Sequence, residues 1–299
     1  MKIRIGVDVG GTTIKFGFFN AQAHLFDKFS IETVLTHQPQ DLLDMIAATI
    51  EQRVALNTIE TVVLGIPGPV VHGVVSVAVN LDWPTVDVRS YFLTRWPQVP
   101  VAVYNDATLA ALGESVYAER ANLVLFTLGT GVGGGIILNG QPLEGSHGFG
   151  AELGHMKITD APWPCGCGLT GCLESIASAT GLKRRYKEVL ARSKASFEVE
   201  MISAKRLFDA AMQGETLALE VVDEMSLALA KAMQIVSVTV DPDVFLLGGG
   251  VAGAGEFLRL KVEEHYRTLA FGSLRSTPIE LAQLGNDAGI YGALAVIHD

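Results

Sequence analysis

The sequence has no excess of basic residues. Lys and Arg number 22 against 32 Asp and Glu in a chain of 299 residues, so the formal net charge is -10. No segment combines basic with aromatic residues in the way that binding to a phosphate backbone requires. The composition therefore argues against nucleic acid as a partner.

Long apolar runs are also missing. The first residues, MKIRIGVDVGG, begin with a basic residue, but Asp8 and the glycines interrupt them too early for the apolar region of a secretory signal. Elsewhere Gly, Pro or a charged residue interrupts each apolar run well before the roughly 20 residues that a membrane span needs. We therefore expect a cytoplasmic protein with no membrane partner.

Cysteine is scarce, and all three cysteines lie in the segment CGCGLTGC, at 165, 167 and 172. They cannot pair off completely, and the first two are too close in sequence for an ordinary disulfide. Together with His155 they form a Cys₃His set, which suits tetrahedral Zn²⁺. Four protein ligands leave no position for a reacting water, so such a zinc would be structural. The alternative is a group of reduced structural thiols.

The rest of the chain predicts a mixed α/β fold. Apolar strands at 3–9 and 12–19 flank Gly10 and Gly11, and the same order returns around the glycines of 129–135, which indicates a duplicated architecture. Strands mixed with helices throughout are typical of an α/β protein. Further strands are predicted at 61–66, 74–79, 101–104, 123–128, 136–138, 244–247 and 279–284, and helices at 41–54, 107–116, 175–192, 204–213, 218–238, 257–269 and 288–297.

No linker rich in Pro, Gly or Ser divides the chain. The restart of the strand pattern alone places a boundary near residue 115, giving a small N-terminal α/β lobe (1–115) and a larger C-terminal α/β lobe (116–299) that carries the zinc site. We expect the last helix, about 288–299, to pack on the N-terminal lobe.

The first glycine turn is a candidate phosphate site. Glycine backbones can approach phosphate oxygens, a threonine hydroxyl can donate to one, and an aspartate at a strand end can hold Mg²⁺ directly or through water. A Gly-Gly turn between strands is equally a plain hairpin. The residues concerned are Asp8, Gly10, Gly11, Thr12 and Lys15.

Two segments match the pattern GxGxxG. The match at 129–134 is followed by β-branched residues, whereas a dinucleotide fingerprint opens a helix, so that interpretation fails there. The match at 248–253 follows a strand and precedes a helix; it can seat a nucleotide or serve only as a tight connection. A nicotinamide-dependent oxidoreductase would need an acidic residue after the next strand and a second nucleotide half, and neither is evident.

Polar residues follow the strand at 101–104. Asn105 and Asp106 precede a helix, where either is a good N-cap, but a carboxylate here could also accept a proton from a hydroxyl during phosphoryl transfer. Glu152 and His155, three apart, would share a helix face, with Glu174 just after the last cysteine. These groups could bind a polyol; alternatively Glu152 orients His155, and Glu174 caps or pairs within a helix.

Five segments of the chain resemble the ROK family of bacterial sugar kinases and repressors. They occur in family order over nearly the whole chain: DVGGTTIK at 8–15, YNDA at 104–107, LGTGVGGG at 128–135, ELGHM at 152–156 and CGCGLTGCLE at 165–174. The resemblance implies an actin-like ATPase fold, which is duplicated and ribonuclease H-like, with two lobes and a cleft. It also implies a homodimer. Family repressors carry a DNA-binding segment before the DVGGT strand, so we expect a kinase rather than a regulator.

The resemblance also implies an ATP- and Mg²⁺-dependent hexose kinase with Asp106 as general base. The segments GIPGPV at 65–70 and NLDW at 80–83 are similar to the glucokinase branch, so glucose is the expected substrate. N-acetylmannosamine, N-acetylglucosamine, allose and fructose stay open, because His147 departs from the family pattern in the loop 145–150, which the resemblance places near the sugar. A non-catalytic sugar sensor is the alternative of another class. The implied sugar ligands are Asn80, Asn105, Asp106, Glu152, His155 and Glu174; the implied ATP-binding residues are Asp8, Gly10, Gly11, Thr12, Lys15, Thr130, Gly131, Gly133, Gly249 and Gly250; the implied zinc ligands are His155, Cys165, Cys167 and Cys172.

Overall fold

The computed structural model describes residues 2–36, 38–193 and 202–296. The chain divides into two compact units. The first consists of Met1–Ala121, Gly135–Ala151 and Leu284–Asp299, and the second of Asn122–Gly134 and Glu152–Gln283. The first crossing between units therefore follows Ala121, where the sequence pattern had placed a boundary near residue 115, and the C-terminal segment belongs to the first unit.

The first unit is built on a five-stranded sheet of order β3-β2-β1-β4-β8. Its first three strands are antiparallel, and β4 and β8 continue the sheet in parallel. A small antiparallel sheet, β5-β6-β7, follows β4. The strands are β1 (Ile3–Val9), β2 (Thr13–Asn20), β3 (Leu25–Glu32), β4 (Ile59–Ile66), β5 (Val70–Val71), β6 (Val74–Val75), β7 (Val86–Asp87) and β8 (Val101–Asn105).

Burial along these strands follows their places in the sheet. The side chains of Ile5, Val7 and Val9 are fully buried, and nearly all of β4 is buried, as a strand covered on both faces should be. The edge strand β3 instead alternates between half-buried and exposed residues, and its Phe29 ring stacks on Phe16 with ring centroids 5.0 Å apart. The helices are α1 (Pro39–Glu51), α2 (Val88–Arg95) and α3 (Asp106–Ala118), joined by α9 (Ala288–Tyr291) from the C-terminal segment.

The second five-stranded sheet has the order β11-β10-β9-β12-β13, with β12 parallel to both β9 and β13. The helices α4 to α8 belong to the second unit. Elements of this part of the chain are β9 (Leu123–Leu128), β10 (Val132–Leu138), β11 (Gln141–Pro142), α4 (Glu174–Ala177), α5 (Ala179–Arg192), α6 (Ala204–Met212), α7 (Thr216–Val240), β12 (Val244–Gly248), α8 (Glu256–Leu269) and β13 (Ile279–Leu281).

The two sheets repeat one connectivity: the third, second and first strands of each half, followed by two parallel strands. The duplicated α/β fold predicted from the sequence is therefore confirmed. No helix among residues 2–36, 38–193 and 202–296 combines the length and the apolar character needed to cross a membrane.

Several predicted elements differ in extent, four of them in ways that have a clear structural reason. The helix predicted at 175–192 is interrupted at Ser178, which is extended and accepts a hydrogen bond from the Gly181 backbone N–H at 3.0 Å, so that α5 has its own N-cap. The strand predicted at 74–79 is only the two residues of β6, followed by a 3₁₀ helix at Val79–Leu81. The strand predicted at 279–284 ends at Leu281, where pairing with β12 stops.

The terminal helix predicted at 288–297 changes to a 3₁₀ helix after Tyr291, and residue 297 lies outside the described residues. Two of the longer elements were missed altogether, as were the two-residue strands β5, β7 and β11. Strand β3 does show the alternation of a half-buried strand, and α2 begins with a proper cap, since the Asp87 side chain accepts from the Ser90 N–H at 2.9 Å.

Candidate functional site

The first glycine turn is held by hydrogen bonds on both sides. The Gly10 N–H donates to the Thr13 carbonyl at 3.0 Å, which closes the turn between β1 and β2. From the end of β3, Thr33 donates its backbone N–H to the Thr12 carbonyl at 3.0 Å and its hydroxyl to the Gly10 carbonyl at 2.7 Å. A Cβ on Gly11 would lie 3.2 Å from the Asn80 carbonyl oxygen. The turn is thus a fixed backbone loop, and Asn80 lies beside it.

Asp8 and Lys15 face each other across the strands that flank this turn. They are partners in the β1–β2 ladder, and the Lys15 Nζ lies 3.1 Å from Asp8 Oδ2. The same ammonium group donates to the Asn286 carbonyl at 2.7 Å. Both side chains are only partly exposed. The arrangement places a carboxylate and an ammonium group next to the glycine turn. A carboxylate can bind the metal ion of a metal–phosphate complex, and an ammonium group can bind its phosphate oxygens.

The capping role at the start of α3 belongs to Asn105. Its Oδ1 accepts from the backbone N–H groups of Ala107 and Thr108 at 3.0 and 3.1 Å, and its Nδ2 donates to the Gly68 carbonyl at 3.1 Å. Asp106 is the first helical residue, and its Oδ1 accepts from the Ala107 N–H at 2.9 Å. The helix therefore has a cap without Asp106, whose carboxylate lies where the helix N-terminus stabilises negative charge.

The second glycine turn, in the second unit, packs against the start of α5. The Gly129 N–H donates to the Gly131 carbonyl at 2.9 Å, and the Thr180 hydroxyl donates to the Thr130 carbonyl at 3.0 Å. A Cβ on Gly131 would lie 2.5 Å from Glu174 Oε2. This close approach explains a glycine at 131; Gly133 belongs to β10.

In the turn after β12, position 249 requires glycine for two reasons. Gly249 has φ +83°, and a Cβ there would lie 2.6 Å from the Leu128 carbonyl oxygen. Gly250 begins a 3₁₀ helix that ends at Ala254, before α8, and the position of its missing Cβ is open. The segment connects strand to helix through this short turn, so both interpretations of the GxGxxG pattern are compatible with its geometry.

His155 and the three cysteines do come together. Their ligand atoms all lie within 4.8 Å of one another. The Cys167 and Cys172 sulfurs are 3.7 Å apart, and the Cys165 sulfur lies 3.4 Å from His155 Nδ1. A tetrahedral zinc with Zn–S bonds of about 2.3 Å and a Zn–N bond of about 2.0 Å has S–S and S–N edges of about 3.8 and 3.5 Å. The spacing of the donor atoms fits such an ion.

The loop that carries these ligands is shaped by its own turns. The Cys165 N–H donates to the Leu169 carbonyl at 2.9 Å, and the Gly168 N–H donates to the Cys165 carbonyl at 3.0 Å. Burial raises the pKa of the Cys165 and Cys172 thiols. A hydrogen bond from the Leu169 backbone lowers the pKa of Cys167, the exposed thiol of the three. The Cys167 thiol therefore ionises more easily than an isolated cysteine, whereas the other two thiolates need a compensating positive charge.

Glu152 and Glu174 lie beside this cluster. Glu152 precedes the 3₁₀ helix Leu153–His155, and its Oε2 is 3.9 Å from His155 Nε2. Burial raises the pKa of Glu152, the His155 charge lowers it and the Glu174 charge raises it. Glu174 Oε1 lies 3.4 Å from the Cys165 sulfur, while its Oε2 accepts from the Val132 N–H at 3.1 Å. Two carboxylates and an imidazole therefore share one region, as the sequence predicted.

Comparison with known proteins gives the family. The ROK family model matches residues 4–299. The chain belongs to the ROK family. It is 35% identical to the glucokinase of Halalkalibacterium halodurans over 306 residues, covering 96% of this chain and 92% of that protein. It is 33% identical to the glucokinase of Thermotoga maritima over 311 residues, covering 99% and 97% of the two chains.

A solved structure gives the same picture. The ROK family glucokinase from Streptomyces griseus, in complex with glucose and AMPPNP, matches this ROK chain with a TM-score of 0.77 and 30% identity over 97% of each chain. The actin-like fold class expected from the sequence is thereby confirmed. Within that fold, sequence reasoning missed the contacts made by Asn286 and Gly289 in the C-terminal segment. A glycine inside a predicted helix was the available signal, because such a residue calls for a packing reason.

Proposed function

We propose that this chain is an ATP-dependent sugar kinase that transfers the γ-phosphoryl group of ATP to the 6-hydroxyl of glucose. The substrate is supported by the two glucokinases at 35% and 33% identity and by the glucose-bound structure of similar fold. The observation that carries the mechanism is the position of Asp106 at the first turn of α3, next to a separate cap residue.

In the proposed reaction Asp106 is the general base. An oxygen lone pair of the 6-hydroxyl attacks the γ-phosphorus, the bond from that phosphorus to the β-phosphate oxygen breaks, and its electron pair leaves on ADP. The hydroxyl proton passes to the Asp106 carboxylate. Asn105 keeps α3 capped, so the carboxylate stays at a fixed point of the backbone while it gains the proton.

ATP is proposed to bind at the glycine turns of each unit. In the first unit the backbone of Gly10–Thr12 would contact phosphate oxygens, with Asp8 holding Mg²⁺ directly or through water and Lys15 adding a positive charge. In the second unit the turn at Thr130–Gly133 and the turn at Gly249–Gly250 would contact the nucleotide. Backbone N–H groups fixed by neighbouring hydrogen bonds stabilise phosphate charge without reorganising.

Sugar contacts are proposed for five side chains besides Asp106. In the first unit these are Asn80 and Asn105, where the Asn105 oxygen already accepts two backbone bonds and only an amide hydrogen is left for a hydroxyl. In the second unit they are Glu152, His155 and Glu174. Carboxylates accept from sugar hydroxyls, and His155 Nε2 lies on the side of Glu152, away from the cysteine sulfurs.

We also propose a structural zinc held by His155, Cys165, Cys167 and Cys172. The donor set and its spacing fit a closed tetrahedral site. Zinc there would cross-link the loop and hold all three cysteines as thiolates. The chain's own contribution is the orientation of His155, since coordination through Nδ1 would present Nε2 towards Glu152 and a sugar hydroxyl.

The test is an ADP-release assay with ATP and Mg²⁺ across glucose, N-acetylmannosamine, N-acetylglucosamine, allose and fructose. The Asp106→Asn variant should lose about 10²–10⁴-fold in kcat, the usual contribution of a general base, with glucose binding largely intact. Asp209→Asn, which removes a carboxylate from an exposed pair with Lys205, is the matched control and should keep native turnover. Glucose binding without turnover in the native protein would instead establish a sensor.

A further inference from the structure

Gly289 in α9 lies directly against the Asp8 side chain. A Cβ on Gly289 would be 2.8 Å from Asp8 Cγ, 3.0 Å from its Cβ and 3.1 Å from its Oδ1. Gly289 is helical, and it is not among the glycines with positive φ, so its backbone conformation does not demand glycine. Alanine is the better helix former at such a position. The space occupied by Asp8 is therefore the physical reason for this glycine.

The strands below α9 are shaped to receive it. Gly6 of β1 and Gly17 of β2 are partners in the ladder, and a Cβ on either would collide with Ile290, the residue after Gly289. Ile290 is fully buried. The helix thus rests in a groove lined by two glycines, of which Gly6 lies on the strand that carries Asp8. The contacts of Ile290 with Gly6 and Gly17 fix the distance between α9 and the two strands.

The C-terminal segment also holds the partner of Asp8. The Asn286 carbonyl accepts from Lys15 Nζ at 2.7 Å, and the same nitrogen lies 3.1 Å from Asp8 Oδ2. Asp287 pairs with Lys28 of β3 at 2.6 Å. The position of the Asp8 side chain is therefore restricted by Gly289 on one side and by Lys15 on the other. Both restrictions depend on the C-terminal segment, which contains Gly289 and binds Lys15 through Asn286.

That segment is anchored to α3, the helix that begins with Asp106. The buried Glu114 side chain accepts from the Leu284 N–H at 2.8 Å. A Cβ on Gly113 would collide with the Ala288 carbonyl, and a Cβ on Gly292 would collide with Leu109. Residues 284–292 are thus packed tightly between α3 and the β1–β2 hairpin.

We propose that Gly289 is a positioning residue for Asp8, so that the C-terminal segment sets where the carboxylate meets the Mg²⁺ of bound ATP. The proposal rests on the proposed kinase function for its catalytic consequence. It assigns to Gly289 no contact with substrate; the residue acts by leaving room for Asp8 beside Lys15.

The test is Gly289→Ala, measured in two independent ways. Turnover of glucose should fall at least tenfold in kcat, and the Mg²⁺ concentration for half-maximal rate should rise severalfold, while the glucose dissociation constant stays native. By calorimetry without sugar, Mg²⁺·ATP should bind the variant severalfold more weakly. If the native protein binds Mg²⁺·ATP but never turns glucose over, the kinase proposal fails while this second measurement still decides the role of Gly289.

Two further variants separate positioning from stability. Ile50→Val removes a methyl group from the core formed with Ile5 and Val7, whose side chains point to the face of β1 opposite Asp8, so it should lower the melting temperature and leave the Mg²⁺ midpoint native. In an Asp8→Ala background, Gly289→Ala should cause little further loss, because the carboxylate that it displaces is gone. A Gly289→Ala variant within twofold of native in Mg²⁺ midpoint and ATP affinity, or one whose effect is undiminished without the Asp8 carboxylate, would overturn the proposal.

Discussion

The Glu174 carboxylate accepts a hydrogen bond from the Val132 backbone N–H at 3.1 Å. Its other oxygen lies 3.4 Å from the Cys165 sulfur, so one side chain contacts both the second glycine turn and the cysteine loop. The sequence left open that Glu174 caps a helix or forms a salt bridge within one. These two contacts are neither a helix cap nor a salt bridge. Glu174 instead connects two loops of the second unit that are 33 residues or more apart in sequence.

This connection predicts that Glu174 affects ATP as well as sugar. Glu174→Ala removes the acceptor for Val132 and should raise the KM for ATP severalfold, since the neighbouring turn loses its support. Glu174→Gln keeps an oxygen that can accept the bond, and its KM for ATP should stay near native. Steady-state kinetics with each substrate varied in turn makes the comparison. Equal values of the KM for ATP in both variants would show that the bond to Val132 does not matter.

The strand pattern predicted much of the fold because its signals are local. Alternating apolar residues on each side of Gly10 and Gly11 specify a hairpin, and β1 has the bounds predicted, Ile3–Val9. The break at Ser178 could not be found in this way, since apolar residues continue at helical spacing on both sides of it. The Ser178 N-cap and the tertiary contact of the Ala179 N–H with the Gly129 carbonyl, at 2.8 Å, together explain where the second helix begins.

Local sequence was informative about which residues could form a site and less so about their neighbours. His155 and the cysteines were grouped because imidazole and thiolate are the ligands that zinc prefers, and the structure brings their donor atoms together. The sequence left the capping role open between Asn105 and Asp106, and in the structure Asn105 is the N-cap. The contact of Gly289 with Asp8 joins residues at opposite ends of the chain, so the glycine within a predicted helix indicated close packing but could not identify its partner.

Removal of zinc should disturb the sugar contacts before it disturbs the fold. Without an ion, burial favours the protonated forms of the Cys172 and Cys165 thiols, and the His155 ring loses its bond to the metal. Chelation, or Cys172→Ser, should therefore raise the KM for glucose severalfold while the KM for ATP changes less. The bound metal is measured by elemental analysis. Trp163, in the same loop, stacks 5.0 Å from the Arg184 guanidinium, so its fluorescence should also change. Metal-free protein with native kinetics would contradict this prediction.

The Arg95–Glu51 pair should make the stability of the first unit depend on pH. The Arg95 guanidinium holds the pKa of Glu51 below its usual value, and a hydrogen bond from the Trp96 ring acts in the same direction. A carboxyl whose pKa is lower in the folded state stabilises the fold above its unfolded pKa, about 4.5, and this stabilisation is lost as the pH falls through the folded pKa.

Glu51→Gln should therefore be less stable than the native protein at about pH 7, by up to about 1 kcal/mol, because both partners are partly exposed and the pair is screened by solvent. The difference should shrink as the pH is lowered towards about 3, where Glu51 becomes protonated in the native protein too. Urea unfolding of both proteins at several pH values measures it. If the difference is the same at every pH, the ionised pair with Arg95 is not its source, and the loss must come from the packing around Trp96.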